Sequence, residues 1–186
     1  MALTQVVGGM LAGSITSSQI SSVAGSTITG SQSIPKSTLP TGSVLQVVST
    51  TFTTVVTVTA TSDTDIGLTA TITPSSASNK ILVIASVVMY GYGAPSVNIS
   101  SGWRIKTSAD VVVIGGTLFT SSIYQSDTTF NFHSTTAKHI LHSPATTSPI
   151  TYKLTGRING GVGAVFNYNE GSDAPSSVLT LMEIAA

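Results

Sequence analysis

The clearest regularity in the chain is the alternation of "IGLTATITP", Ile66 to Pro74, in which Ile66, Leu68, Ala70 and Ile72 are separated by small or polar residues. A period of two places those four side chains on one face of a strand. "SVLQVVSTTFTTVVTVTA", Ser43 to Ala60, comes before it and predicts two more strands. "KILVIASVVMYGYG", Lys80 to Gly93, follows and is apolar almost throughout, the pattern of a central strand covered on both sides. Next, "VNISSGWRIKT" and "ADVVVIGG" predict a hairpin turning at Ser108 to Asp110. "TTFNFHS", "KHILHS", "PITYKLTGRI", "AVFNYN" and "SSVLTLMEIA" complete the series. About ten strands at this spacing predict an all-β sandwich. No stretch combines helical periodicity with caps, so very little helix is expected.

The first 40 residues follow a different pattern. "GSITSSQISSVAGSTITGSQSI", Gly13 to Ile34, has no charge, aromatic or proline, and the first charge of the chain is Lys36. "GSITSSQI" returns in looser form as "GSTITGSQSI" twelve residues later, too short a period and too few copies for a solenoid. β-Branched content favours an extended chain, whose backbone groups need partners outside the segment. Ordering a residue's backbone costs about 1–2 kcal/mol, and a segment without a core cannot meet that cost internally. Contact with other chains can, by covering Leu3, Val6, Val7, Met10, Leu11, Ile15, Ile20, Val23, Ile28 and Ile34. "SIPKSTLPTG", Ser33 to Gly42, has two prolines and reads as a linker. The expected organisation is therefore an extended N-terminal attachment arm and linker over 1–40 and a β domain over 41–186.

Composition narrows the function. Only 8% of the 186 residues are charged, and seven basic residues balance seven acidic ones. A chain with so little charge has no basic patch for nucleic acid, and it gains solubility by assembling instead of by repulsion. Serine and threonine form roughly a third of the sequence, so the surface can be polar without charge. Cysteine is absent, which excludes disulfides and thiolate-bound zinc. "MALTQVVGGMLAGSITSSQ" lacks the basic start and sustained apolar core of a signal peptide. The run from Ile81 to Gly93 is shorter than the about 20 residues of a membrane-spanning helix, so no membrane partner is expected.

Candidate chemistry is sparse. His133, His139 and His142 cluster, but positions three apart on a strand face opposite ways, so His139 and His142 cannot readily share an ion. No metal or other cofactor is expected. "SDTD", Ser62 to Asp65, lacks the glycine and distal glutamate of a calcium loop and reads as a polar turn. Glu170 and Asp173 read as a solvated loop before the last strand, and the glycines of "RINGGVGAVF" as a turn. No nucleophile elbow or paired carboxylate suggests catalysis, so no catalytic residue is named. Trp103 is expected in the core or an interface; a ligand-facing role would bring in Tyr90, Tyr92 and Tyr168.

Three pieces carry a resemblance: "GSVLQVV", "TDIGLTATITPSSASNKILVIASV" and the terminal "SSVLTLMEIAA". Over about Thr41 to Ala186 the chain resembles the trimeric jelly-roll modules of tailed-bacteriophage structural proteins, especially those of cyanobacterial and marine phages. "LAGSITSSQI" in the arm is similar to N-terminal segments of phage fibres. The resemblance implies an antiparallel jelly-roll β-sandwich of the tumour-necrosis-factor type, assembled as a homotrimer. It further implies a virion protein without enzymatic activity, either a decoration or cement protein on the capsid exterior bound to the major capsid protein, or a short tail fibre. In the second case the partners are a tail component and a host receptor, a glycan or surface protein. A polysaccharide-degrading enzyme would need paired acids in a groove, which seven scattered carboxylates do not define.

Overall fold

A computed structural model describes residues 36, 39–115, 121–125, 130–169, 171 and 175–186. Side chains at 97, 121–125 and 130 fall outside that description, as do all ten expected arm anchors from Leu3 to Ile34 and the Glu170 and Asp173 loop. Residues Leu39–Ala186 make up one compact unit. Among the described residues there is no α-helix, and eleven strands form two antiparallel sheets.

In chain order these strands are β1 (Val44–Phe52), β2 (Val56–Val58), β3 (Thr64–Ile72), β4 (Lys80–Gly93), β5 (Val97–Thr107) and β6 (Val112–Ile114), then β7 (Ser121–Gln125), β8 (Phe130–His142), β9 (Ile150–Gly160), β10 (Gly163–Phe166) and β11 (Ser177–Ile184). In the first sheet β4 is central. It pairs with β8 along one edge and with β11 and β10 in succession along the other, and these pair in turn with β1 and β2. The second sheet runs β3, β9, β5, with β6 and β7 sharing the far edge of β5. The pairings are nested: β1 with β11, β3 with β9, β4 with β8, and β5 with β6 and β7.

The alternation from Ile66 to Ile72 puts all four named side chains in the core, where Leu68 is fully buried. Ile81, Val83, Ala85, Val87 and Met89 of β4 meet them from the facing sheet, with Trp103, Ile105, Tyr152, Leu154 and Phe166 filling the space between. Burying such aliphatic and aromatic groups contributes roughly 1.5–3 kcal/mol each, the main drive for closing one sheet on the other. The expected hairpin turns where predicted: Asp110 has φ 62°, its N–H donates to the Thr107 carbonyl, and β6 follows. The glycine turn of "RINGGVG" joins β9 to β10 through Gly161 at φ +87°.

Gly156 allows close packing of another kind. A Cβ there would run into the Cε2 and Cζ of Phe166, a ring with no exposed surface and no room to retreat. Gly156→Ala is therefore expected to destabilise the domain by about 1–3 kcal/mol, the usual cost of overpacking, measured as a lower urea midpoint at unchanged slope.

Three expectations need correction. "TTFNFHS" and "KHILHS" are one strand, β8, because an edge strand whose sides are both partly polar continues through the intervening threonines. β7 lies in a polar stretch for which no strand was predicted. Third, β4 is central but not packed on both sides by its own chain: its outward residues Leu82, Ile84, Val88, Tyr90 and Tyr92 are half-exposed.

Candidate assembly face

The outward side of the first sheet can be read row by row from the strand register. Leu141, Leu82, Met182 and Val47 stand side by side across β8, β4, β11 and β1. The next rows are His139, Ile84, Thr180 and Ser49, and then Ala137, Ser86, Val178 and Thr51. Beyond Thr135 and Val88 come His133, Tyr90, Val165 and Thr57, and finally Asn131, Tyr92 and Gly163. None of these residues is Lys, Arg, Asp or Glu; Lys80, the first residue of β4, stands at the rim. Val47 is 55% exposed and Leu141 47%. The face is thus wide and mixes apolar side chains with serine, threonine, asparagine and histidine, and its described residues carry no fixed charge.

At its upper end Tyr90 stacks on Tyr168 with ring centroids 4.3 Å apart and on Tyr92 at 5.9 Å, while His133 lies 4.9 Å from Tyr90. These are the tyrosines considered as neighbours of Trp103, and the structure joins them to His133 instead. Trp103 points the other way, into the core at 2% exposure, where its Nε1–H donates to Thr136 Oγ1 at 2.7 Å and Lys138 Nζ sits 4.6 Å from the ring centroid. The first sheet lies between them.

The outer side of the second sheet has the opposite character. Arg104 and Lys106 of β5, Arg157 and Lys153 of β9, and Asp63, Asp65 and Asp110 amount to half of the chain's charged residues. Asp63 is only 11% exposed and gathers Lys106 at 2.7 Å, Arg104 at 3.1 Å and Arg157 at 3.7 Å; Lys153 pairs with Asp110 at 2.9 Å. Burial works to raise the Asp63 pKa, but Lys106 and Arg104 outweigh it and hold the carboxyl below its ordinary range. Asp63 lies in the turn between β2 and β3, as expected, and there it anchors an ion-pair network. Its cations lie 41 or more residues away, out of reach of any local pattern.

The three histidines divide as the strand period requires. His133 and His139 are on the outward side of β8, while His142 turns inward, its Nδ1 2.8 Å from the Tyr152 hydroxyl. Burial lowers the His142 pKa and raises that of Tyr152. Among the described residues no group of three or more His, Cys, Asp or Glu could hold a metal ion.

Glu183, on the inward side of β11, is fully buried with no cation beside it in the described structure. Its Oε1 accepts hydrogen bonds from the Ser75 N–H and Oγ–H and from Asn79 Nδ2, and its Oε2 accepts one from Gln46 Nε2, all between 2.6 and 2.7 Å. Burial alone would raise its pKa, yet these bonds hold it below the ordinary glutamate range. Asn79 Oδ1 in turn accepts from the Ala186 N–H at 3.2 Å. The "ITPSSASNKILV" and "LTLMEI" pieces are therefore two halves of one pin.

Neither a family model nor a curated protein matches this chain.

Proposed function

We propose that the chain is a non-enzymatic structural protein of a tailed-phage virion: a homotrimeric jelly roll that decorates the capsid exterior and stabilises the shell. The observation that carries this reading is the unequal treatment of the sandwich's two outer faces. One bears half of all the charges, and among the described residues the other bears none between the Leu82 and Tyr92 rows. The rows from Leu82 to Tyr92, about 34 Å long over four columns of strands about 4.8 Å apart, present roughly 650 Å², close to the about 800 Å² each partner commits to a standard protein interface. A face on which the described residues carry no fixed charge can pack against neighbouring subunits around a threefold axis without like-charge repulsion, so neighbouring subunits suit it.

Several observations support the finer parts. Nested pairing from outermost to innermost strands is the arrangement of a long hairpin rolled into a jelly roll. The three sequence pieces behind the phage resemblance meet at Glu183, one through Gln46, one through Ser75 and Asn79, and one through Glu183 itself. The described carboxylates are committed to structure, Asp63, Asp65 and Asp110 in ion pairs and Glu183 in hydrogen bonds. The arm over 1–40 would bind the major capsid protein by strand addition, with the recurrent Ile and Val as anchors. Binding of this kind adds to shell stability by mass action.

Deleting residues 1–40 tests the division of labour. The truncated protein is expected to stay folded and assembled but to lose binding to particles lacking the protein, seen by co-sedimentation. Full decoration by the truncated form would move attachment to the β domain. Quantitative mass spectrometry of particles locates the protein: hundreds of copies place it on the capsid, a few tens on the tail.

A further inference from the structure

Six asparagines occur in the chain, and Asn159 alone is followed by glycine. Asn79 and Asn167 are buried with their carboxamides tied into hydrogen bonds, Asn79 to Glu183 and the Ala186 N–H, Asn167 to the Phe52 and Thr54 carbonyls. Asn98, Asn131 and Asn169 are exposed, but each precedes a residue with a large side chain, which hinders that residue's own nitrogen as a nucleophile. Asn159 is exposed near the end of β9, and among the described residues no hydrogen bond holds its carboxamide. We propose that Asn159 is a site of spontaneous covalent modification, at which the chain converts with time from asparagine to aspartate and isoaspartate.

The strand register favours the reaction. Ser101 stands opposite Ile158 and Ser100 opposite Gly160, so Asn159 is the extra residue of a bulge. A bulged residue is released from the ladder, which frees it from the extended geometry that keeps a side chain away from the next nitrogen. Asparagine is among the chemically labile residues, and glycine leaves its own nitrogen open to approach. Hydroxide removes the Gly160 amide proton, and the nitrogen attacks Cγ of Asn159. The Cγ–Nδ2 bond breaks, ammonia leaves with a proton, and a five-membered succinimide remains. Water then adds to one of its two carbonyls. Opening at Cγ gives aspartate, and opening at the main-chain carbonyl gives isoaspartate, whose backbone runs through Cβ and Cγ. The net change is one water consumed and one ammonia released, with no oxidant or reductant.

Isoaspartate adds a carbon atom to the main chain, and the turn that follows has no slack for it. A Cβ on Gly160 would run into the Asn98 carbonyl oxygen, and one on Gly161 would lie 3.1 Å from that of Tyr92. The Val162 N–H donates to the same Tyr92 oxygen at 3.0 Å. Conversion therefore loosens the end of β9 and gives a negative charge to a turn synthesised without one.

The full chain is incubated at 37 °C at pH 6.0 and pH 8.5, digested, and mapped by mass spectrometry, with isoaspartate counted by an isoaspartate methyltransferase. The peptide holding Asn159 is expected to gain one dalton and a methyl-accepting group, faster at the higher pH in proportion to hydroxide. In water enriched in oxygen-18 it should gain a further two daltons, while peptides holding Asn98, Asn131 and Asn169 keep their mass. The urea midpoint of wild type should fall as conversion proceeds. N159Q, which must close a six-membered ring and so reacts far more slowly, should show neither change. A native chain that keeps its mass while the same chain unfolded in urea converts would overturn the proposal, because the fold would then protect the site. Conversion at another asparagine in place of Asn159 would overturn it as well. A urea midpoint that stays put in fully converted protein would overturn the loosening of the turn.

Discussion

Ile84→Lys is expected to yield a folded monomer. Ile84 lies mid-row on β4, flanked by His139 and Thr180, so its side chain would be near the centre of the subunit contact. In the single chain this position is half-exposed, and a lysine there can reach water at little cost. Inside a contact it would be an unpaired buried charge, costing about 3–5 kcal/mol, or roughly a thousandfold in the dissociation constant. Wild-type protein should meanwhile remain assembled in 1 M salt, since apolar burial is little screened whereas surface ion pairs are. Sedimentation gives the state of each, and Trp103 fluorescence reports the fold. A variant that assembles like wild type would show that this face is not the contact.

Glu183→Ala should have the largest effect on the fold. The substitution removes a carboxylate that accepts four hydrogen bonds and leaves the Ser75 N–H, Asn79 Nδ2 and Gln46 Nε2 without that acceptor in a buried site. Breaking such a site costs about 3–5 kcal/mol, which lowers Tm by roughly 10 °C in a domain of this size. Glu183→Gln keeps the shape but turns one acceptor into a donor facing other donors, so it should recover only part of the loss. The sign with pH follows from the lowered pKa. Glu183 stabilises the fold fully above the ordinary glutamate range, and that contribution is lost as pH falls through its depressed folded value. Thermal melts from pH 7 to pH 3 should therefore converge for wild type and Glu183→Gln at the acid end. An equal gap at every pH would show that the charge is not what matters there.

Sequence legibility depended on how far apart the interacting residues are. The Ile66 to Ile72 alternation and the Asp110 turn are local rules, and both could be read directly. The uniform apolarity of β4 was also a true signal, though its cause differs from what was expected. Its inward residues meet the second sheet, and its outward residues form the bare face. Glu183 and Asp63 could not be singled out, because the donors to Glu183 lie 104 to 137 residues away and Asp63 meets Arg104 across 41. Each looks in sequence like an ordinary acid near a turn or strand end. The histidines were intermediate: strand period alone set His139 and His142 on opposite sides, but only the register of β8 against β4 put His133 beside Tyr90.

The pairing of β1 with β11 has a consequence for synthesis. Phe52 lies opposite Ser177, so nearly the whole domain must leave the ribosome before β1 has the strand that will cover its edge. At about 5–20 residues per second, the nascent chain carries "VLQVVSTTF" unpaired for roughly 6–25 s. That segment is rich in β-formers and has no charge or proline to discourage pairing with a neighbouring nascent chain. On a crowded polysome the edge that later pairs with β11 is open to the wrong partner. Slower initiation, which spaces nascent chains further apart, is therefore expected to raise the yield of folded protein.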